Sequence, residues 1–366
     1  MTGPTSVLSS LCAALALTVA ASAGTFVYVH DHGGDEGLLA FALDPKTGAL
    51  APLPGSPFAG SAGDPANFGH VRTLCWIAAA KVLVSSSPLG LDVWDVAADG
   101  TPALAAGSPF GATSFGSVAA VKRGARTFVY AVDGTAGSLR VFELQAEGHA
   151  LAELPALAVG DLSSVGPLAA TRKLLFTTLG GGASLAAFAV QPDGALVAAP
   201  GSPFAAGVAD ASAPCVTPNA GFLHVGDEDS GDVATFRVDR KTGALTATLP
   251  ADVDSGLAQV SGAIDGGKGK LVFALHGTTP GAADDVVVLR RAPDGSLAPL
   301  TGPQQTGLNG FDTHATDVRG RILVGVNGGA DDILTFLVDP KTGQLTLADS
   351  DTVNGANATM ALVVRR

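Results

Sequence analysis

A recurring leucine divides the chain into seven units of similar length. It stands where the chain leaves a Gly-rich turn, as in the segment "KTGAL" that ends at Leu50, and it returns at intervals of about 50 residues. The seven copies are Leu50, Leu104, Leu151, Leu196, Leu245, Leu297 and Leu345. Repeats of this length predict an array of equivalent supersecondary units rather than a domain with one undivided core.

Each unit has the pattern of four β-strands. In the unit that includes Gly221, an apolar strand "GFLHVGD" precedes a Gly/Asp-rich loop, and an alternating strand "DVATFRV" follows. A tight turn that contains glycine leads to a third strand, and a less regular strand precedes these three in each copy. Seven four-stranded units are typical of a β-propeller. We therefore predict an all-β, seven-bladed β-propeller with four antiparallel strands per blade.

The two ends of the chain predict how the ring closes. The strand at Thr25 has the pattern of a second strand, whereas the last segment, Asn357 to Val364, has that of a first strand with no strands after it. We expect the C-terminal strand to join the N-terminal blade, because closure removes the exposed edges of an open stack. The propeller domain is then residues 24–366.

Residues 1–23 resemble a signal peptide. An apolar stretch from Leu11 to Ala21 ends in a small-x-small sequence, Ala21-Ser22-Ala23. This pattern predicts a secreted or periplasmic protein, and the alternative is an apolar tail that stays attached. The stretch is short for a membrane span, so no span is expected in the mature chain.

The net charge bears on which molecules the chain can bind, and the cysteines bear on whether it forms disulfides. The formal net charge is −12, which disfavours nucleic acid as a partner because phosphate backbones bind clustered Lys and Arg. Cys75 and Cys215 fall in well-separated units, so free thiols are predicted. We expect a monomer.

Two stretches resemble a known family. "PNAGFLHVGDEDSGDVATFRVDRKTGAL" (from Pro218) and "GRILVGVNGGADDILTFLVDPKTGQL" (from Gly320) are similar to the lactonase-type seven-bladed propellers, which include 6-phosphogluconolactonase-like and carboxymuconate-cyclase-like proteins. The resemblance covers essentially the whole chain after residue 23. It implies hydrolysis or isomerisation of a small lactone, or of a sugar-derived cyclic ester, at the channel mouth.

The catalytic motifs of that family are degenerate here. Its members carry a Gly-Pro-Arg-His type sequence before an inner strand and an Asn-Glu pair one strand later. Glu228 lies approximately where the family has its Glu, whereas the stretch from Ala211 to Pro214 has neither Arg nor His. Whether the chain is an enzyme therefore stays open.

Propeller topology places the candidate functional residues on one face. The loop before each inner strand and the loop between the second and third strands share the channel-mouth face, and most histidines fall in such loops. Imidazoles beside carboxylates can exchange protons or bind a divalent ion, and a guanidinium can hold an oxyanion. We predict the catalytic residues His70, Arg72, Glu228 and His314, and the metal ligands His30 and His32. Solvated loop residues are the alternative.

Two kinds of function are open. The first is a lactonase-like enzyme for a small-molecule lactone or carbohydrate-derived ligand, with no required cofactor and a divalent metal as an option. The second is a non-catalytic exported propeller that binds a protein, peptide or glycan through the loops at the channel mouth. A purely structural surface protein is a third reading.

Overall fold

A computed structural model of the chain describes residues 24–31, 37–61, 74–87, 89–133, 138–157, 168–179, 182–266, 270–276, 285–306, 311–316, 320–327, 332–352 and 358–365. These residues form strands and turns that are arranged in seven antiparallel sheets. Within these ranges, no helix has the length and hydrophobicity that a membrane crossing requires. The predicted seven-bladed, all-β propeller is confirmed.

The strands follow the blades in chain order. Blades 1 to 3 contain β1 (Thr25–Asp31), β2 (Gly37–Leu43), β3 (Leu50–Pro52), β4 (Phe58–Ala59); β5 (Leu74–Ile77), β6 (Val82–Ser87), β7 (Gly90–Val96), β8 (Pro102–Leu104); β9 (Phe115–Arg123), β10 (Arg126–Asp133), β11 (Ser138–Leu144) and β12 (Leu151–Leu157). Blades 4 and 5 contain β13 (Ala169–Ala170), β14 (Leu174–Leu179), β15 (Ser184–Val190), β16 (Leu196–Ala198), β17 (Phe204–Ala205); β18 (Cys215–Val216), β19 (Phe222–Gly226), β20 (Asp232–Val238) and β21 (Leu245–Asp254). Blades 6 and 7 contain β22 (Gly262–Asp265), β23 (Leu271–Leu275), β24 (Asp285–Arg291), β25 (Leu297–Pro299), β26 (Gln304–Gln305); β27 (Phe311–Thr316), β28 (Ile322–Asn327), β29 (Asp332–Val338) and β30 (Leu345–Thr352).

The last strand, β31 (Ala358–Arg365), closes the ring. It pairs antiparallel with β1, so that Thr25 lies opposite Arg365 and His30 lies opposite Met360. The first sheet has the order β3-β2-β1-β31, so blade 1 takes its innermost strand from the C-terminal end of the chain and the others from the N-terminal end. The predicted ring closure is therefore confirmed.

Hydrophobic cores lie between neighbouring blades rather than within a single centre. Successive side chains of a strand point to opposite sides of its sheet. In β1, Val27 and Val29 pack in the core shared with blade 7, whereas Phe26 and Tyr28 pack in the core shared with blade 2. Because both sides of the sheet are buried, β1 is apolar along nearly its whole length and does not alternate with polar residues.

Three copies of Gly-Ser-Pro-Phe end the outer strands of blades 1, 2 and 4. In each copy the serine hydroxyl accepts a hydrogen bond from a backbone amide of the third strand. The pairs are Ser56 with Ala40 (3.0 Å), Ser108 with Val93 (3.1 Å) and Ser202 with Ala187 (3.1 Å). The phenylalanines Phe58, Phe110 and Phe204 pack against cores shared by two blades.

The Asp-x-Lys-Thr-Gly turns explain the similarity of three units. In blades 1, 5 and 7 the aspartate Oδ1 accepts a hydrogen bond from the amide two residues later. The pairs are Asp44 with Lys46 (2.8 Å), Asp239 with Lys241 (2.8 Å) and Asp339 with Lys341 (2.7 Å). An aspartate that caps its own turn in this way fixes the path between the third and outer strands.

The two faces of the disc carry different loops. The mouth face carries the loops before the inner strands and those between the second and third strands, such as the loop between β19 and β20. The opposite face carries the loops between first and second strands and the turns between third and outer strands. Every candidate site below is assigned to one of these faces.

Candidate functional site

Glu228 lies on the mouth face in the loop between β19 and β20 of blade 5. The residue is half-buried, and its backbone amide donates a hydrogen bond to the carbonyl of Asp210 (2.8 Å). Asp210 belongs to the loop that leads from blade 4 to the inner strand of blade 5. Glu228 is therefore held between the two loops that border the channel mouth at this blade.

Asp227 fastens these two loops together with its buried carboxylate, whose residue is only 4% exposed. Oδ1 accepts hydrogen bonds from the amides of Asp210 and Asp229 (3.0 Å each), and Oδ2 accepts from the amide of Ala209 (3.2 Å) and the hydroxyl of Ser230 (2.9 Å). Burial alone would raise the pKa of Asp227. The four donors stabilise the charged form more strongly, so its pKa lies below the ordinary value.

The carboxyl group of Glu228 has the opposite shift. Burial, followed by the negative charges of Asp210, Asp229 and Asp227, raises the pKa of Glu228 above its ordinary value. The ion pairs found among the described side chains do not involve Glu228. The site thus places, side by side, a carboxylate that is held ionised and a carboxyl group whose proton is held more tightly.

Ser212 lies where the family resemblance would place the missing Arg-His sequence. Its amide donates to the carbonyl of Gly226 (2.9 Å), at the end of the strand that leads to Glu228. The Ser212 residue is 4% exposed, and no hydrogen-bond partner is present for its hydroxyl within the described part of the chain. Gly226 is required at this point, because a Cβ there would approach the Ser212 Oγ to 2.8 Å and the Val260 side chain to 2.4 Å.

The other predicted site residues are described only in part. His30 is buried at the mouth-face end of β1, with 7% exposure. The backbone of His314 lies in β27 opposite Gly325, and its side chain is outside the described portion. His32, His70 and Arg72 also lie outside the described residues. Their convergence in one sector of the mouth stays a prediction.

Metal binding gains no support from the described side chains. Among them, no group of three or more His, Cys, Asp or Glu residues could hold a metal ion. The assignment of His30 and His32 as metal ligands therefore stays a prediction as well.

Two half-buried cysteines and one fully buried histidine lie in the blades. Cys75 and Cys215 are free thiols, as predicted, and burial raises the pKa of each to about 12. The Cys215 sulfur accepts a hydrogen bond from the amide of Asp265 (3.1 Å), which joins blades 5 and 6. His224 is fully buried in β19 and takes no part in the mouth. These groups have structural positions rather than reactive ones.

The described cations are concentrated on one face, whereas the described carboxylates lie on both. Apart from Arg140, every lysine and arginine of the described residues lies at the opposite face or at the strand ends that reach it. They are Lys46, Lys81, Lys122, Arg123, Arg126, Arg172, Lys173, Arg237, Arg240, Lys241, Lys270, Arg290, Arg291, Arg321, Lys341 and Arg365. The mouth face carries the carboxylates Asp92, Asp133, Asp210, Asp227, Glu228, Asp229, Asp232, Asp254, Asp285, Asp332 and Asp351.

Comparison with known proteins identifies the architecture. No known family profile matches the sequence, and no curated protein matches it. Among solved structures, a Lactobacillus plantarum protein has a TM-score of 0.71 at 15% identity, covering 94% of this chain and 100% of that one. A provisionally assigned 6-phosphogluconolactonase from Bacteroides fragilis has a TM-score of 0.71 at 18% identity, covering 94% and 99%.

A third similar structure is the periplasmic gluconolactonase of Pseudomonas aeruginosa, with a TM-score of 0.64 at 17% identity, covering 93% of this chain and 99% of that one. Identities this low establish the fold alone. The resemblance predicted from the sequence is confirmed at that level: the chain has the seven-bladed propeller fold of lactonase-type proteins.

Proposed function

We propose that this chain is an exported lactonase-like propeller that opens a small lactone or sugar-derived cyclic ester at its mouth face. The observation that supports this function is Glu228, a half-buried carboxyl group with a raised pKa that two loops hold at the channel mouth. The fold shared with proteins assigned to lactone chemistry points the same way. Export is supported by the sequence of residues 1–23.

Ring opening of a lactone needs a proton acceptor and a proton donor. Water adds to the carbonyl carbon while a base takes one of its protons, and the ring C–O bond then breaks as the departing oxygen receives a proton. Glu228 can do both in turn, since a carboxylate with a raised pKa is a stronger base than an ordinary glutamate and keeps the proton it accepts to a higher pH, until the departing oxygen takes it. Asp227 acts as a positioning residue. Arg72 would stabilise the oxyanion, and His70 and His314 would assist proton transfer.

The test compares Glu228→Gln with Glu147→Gln, which removes an exposed carboxylate in a turn on the opposite face. Hydrolysis of glucono-δ-lactone, 6-phosphogluconolactone and simple γ-lactones is followed by acid release against a protein-free blank. We expect Glu228→Gln to lower the rate by at least about 100-fold, the usual contribution of acid–base catalysis, and Glu147→Gln to leave it unchanged. Full activity in the Glu228 variant would refute the role of Glu228.

The pH profile adds a second readout. The base form of Glu228 is lost as pH falls through its pKa, and that pKa lies above the ordinary value. The rate should therefore begin to fall at a higher pH than a typical glutamate would give, and this acid limb should disappear in Glu228→Gln. If the wild-type protein opens no lactone, with or without divalent ions, the non-catalytic binding propeller becomes the better reading.

A further inference from the structure

We infer that the face opposite the channel mouth docks on an anionic lipid surface and leaves the mouth turned away from it. The inference is independent of the lactonase proposal, because it uses none of the residues assigned to the mouth. It follows from the concentration of cations described above. A chain with a net charge of −12 has nearly all of its described cations on one side.

The cations are spread over the whole face rather than along one line. All seven blades contribute at least one, from Lys81 in blade 2 through Arg172 in blade 4 to Lys341 in blade 7. A nucleic-acid site instead gathers its cations in a stripe or groove that follows one strand of phosphates. A flat array of headgroups is the partner that can meet turns from every blade at once.

The described cations of this face outnumber its described carboxylates, which are Asp44, Asp95, Asp99, Glu143, Glu147, Asp193, Asp239, Asp265, Asp294 and Asp339. Some of these carboxylates have partners within the protein. Asp44, Asp239 and Asp339 cap their own turns, and Glu143 binds Arg126 at 2.6 Å. In blades 5 to 7 the excess is greatest, because few carboxylates of this face belong to those blades. Three lysines of this sector are exposed. They are Lys241, Lys270 and Lys341.

In blade 6, basic side chains line a groove, and one of them is held in a fixed orientation. The groove has a volume of about 500 Å³, and Lys270, Arg290 and Arg291 are among the residues that line it. Arg290 Nη2 donates to the carbonyls of Pro340 (2.9 Å) and Lys341 (3.0 Å), which hold its guanidinium in place. A guanidinium that is already oriented loses less entropy when it binds a phosphate oxygen.

The acidic mouth face does not cancel this attraction. A strand of seven residues spans about 23 Å, so the two faces are separated by more than two Debye lengths at physiological ionic strength. Each face therefore interacts with a nearby surface largely on its own. Overall acidity disfavours soluble polyanions that can approach from any side, but not a planar surface that meets the basic side only.

The test is sedimentation of the full chain with vesicles of equimolar phosphatidylglycerol and phosphatidylcholine, and with phosphatidylcholine alone. We expect binding to the anionic vesicles only, and binding should decline steadily as NaCl is added. The triple variant Lys241→Gln/Lys270→Gln/Lys341→Gln should lose roughly 100-fold in affinity, from three cations at the surface.

The matched control adds the same charge change to the mouth face. Leu89→Glu/Ala209→Glu/Ala258→Glu also lowers the net charge by three, at exposed positions, and should keep wild-type affinity. If the two triple variants lost affinity for anionic vesicles equally, the proposal that one particular face binds the membrane would be wrong. An absence of binding to anionic vesicles, or binding to heparin or duplex DNA in place of vesicles, would also overturn it.

Discussion

His224 occupies a position that tyrosine holds in two other blades. In blade 1 the Tyr28 hydroxyl donates to the carbonyl of Gly100 in the next blade (2.7 Å), and in blade 3 the Tyr130 hydroxyl donates to that of Gly194 (2.8 Å). The corresponding residue of blade 5 is His224. Its Nδ1 lies 3.0 Å from the Thr235 hydroxyl, and its Nε2 has no hydrogen-bond partner among the described residues.

The imidazole of His224 is also held neutral. Burial, with a smaller contribution from the positive charge of Arg291, lowers its pKa to about 3. His224 therefore neither titrates near neutral pH nor joins its blade to the next turn.

Replacing His224 by tyrosine should restore the missing contact. The new hydroxyl would reach towards the carbonyl of Gly295, which stands in blade 6 where Gly100 and Gly194 stand in theirs. One net hydrogen bond is worth about 1 kcal/mol, which corresponds to roughly 1–2 °C in Tm for a chain of 366 residues. Thermal unfolding of His224→Tyr and His224→Phe separates the hydroxyl from the ring, and equal Tm values would contradict the prediction.

At the same scale, the sequence predicts the site only where local pattern is sufficient. Glu228 could be predicted because it lies approximately where the lactonase-type family has its Glu, in a loop between a second and a third strand. The four hydrogen bonds of Asp227 could not, since two of their donors, Ala209 and Asp210, come from a loop whose position depends on how blade 4 meets blade 5. The prediction that His224 lies in a strand is confirmed. The hydrogen bond to the next blade that it lacks is recognised only by comparison with Tyr28 and Tyr130.

Within the elements, an aromatic ring of one blade covers a glycine turn of the next. Phe26, Phe128 and Phe222 begin the second strands of blades 1, 3 and 5 or lie one to two residues inside them. Each ring lies against a turn glycine of the following blade, so closely that a Cβ there would approach it to 2.2–2.5 Å. The glycines are Gly100, Gly194 and Gly295.

The contact predicts different costs for two chemically identical substitutions. Gly100 has φ +89° and a Cβ would come within 2.3 Å of the Phe26 ring, whereas Gly148 has φ +67° and nothing within 4 Å. Gly148→Ala should cost about 1–2 kcal/mol of backbone strain, and Gly100→Ala about 1–3 kcal/mol more from overpacking. Urea unfolding of both variants measures the difference, and equal midpoints would mean that the ring moves aside freely.

Most of the strands could be predicted from the sequence. The seven marker leucines stand at or beside the start of each outer strand except Leu104, which ends β8. Second and third strands are buried on both sides, so their apolar runs are long and clear. Inner strands such as β13 and β18 are short and carry few apolar residues, and this is why their pattern is the least regular.

For the whole molecule, the pairing of β31 with β1 is the contact that makes a ring. Deleting residues 358–366 should expose the sides of blades 1, 2 and 7 that Ala361 and Val364 help to cover. The loss should exceed about 5 kcal/mol, the scale of total stability of many domains, and abolish cooperative unfolding.

A rearranged chain provides the control. Arg365 lies opposite Thr25, so residues 358–365 can be placed ahead of Thr25 through a short glycine linker and form a hairpin with β1. This permutant should recover a cooperative thermal transition in calorimetry. A truncated chain that unfolds as cooperatively as the wild type would show that the blades are stable without closure.

The same pairing sets an order of events for a newly made chain. The partner of β1 is translated more than three hundred residues after it, so blade 1 lacks its innermost strand until the six later blades have been synthesised. Long-range pairings of this kind fold slowly. Any factor that shields Thr25–Asp31 during that interval would therefore govern how much of the protein reaches its finished form.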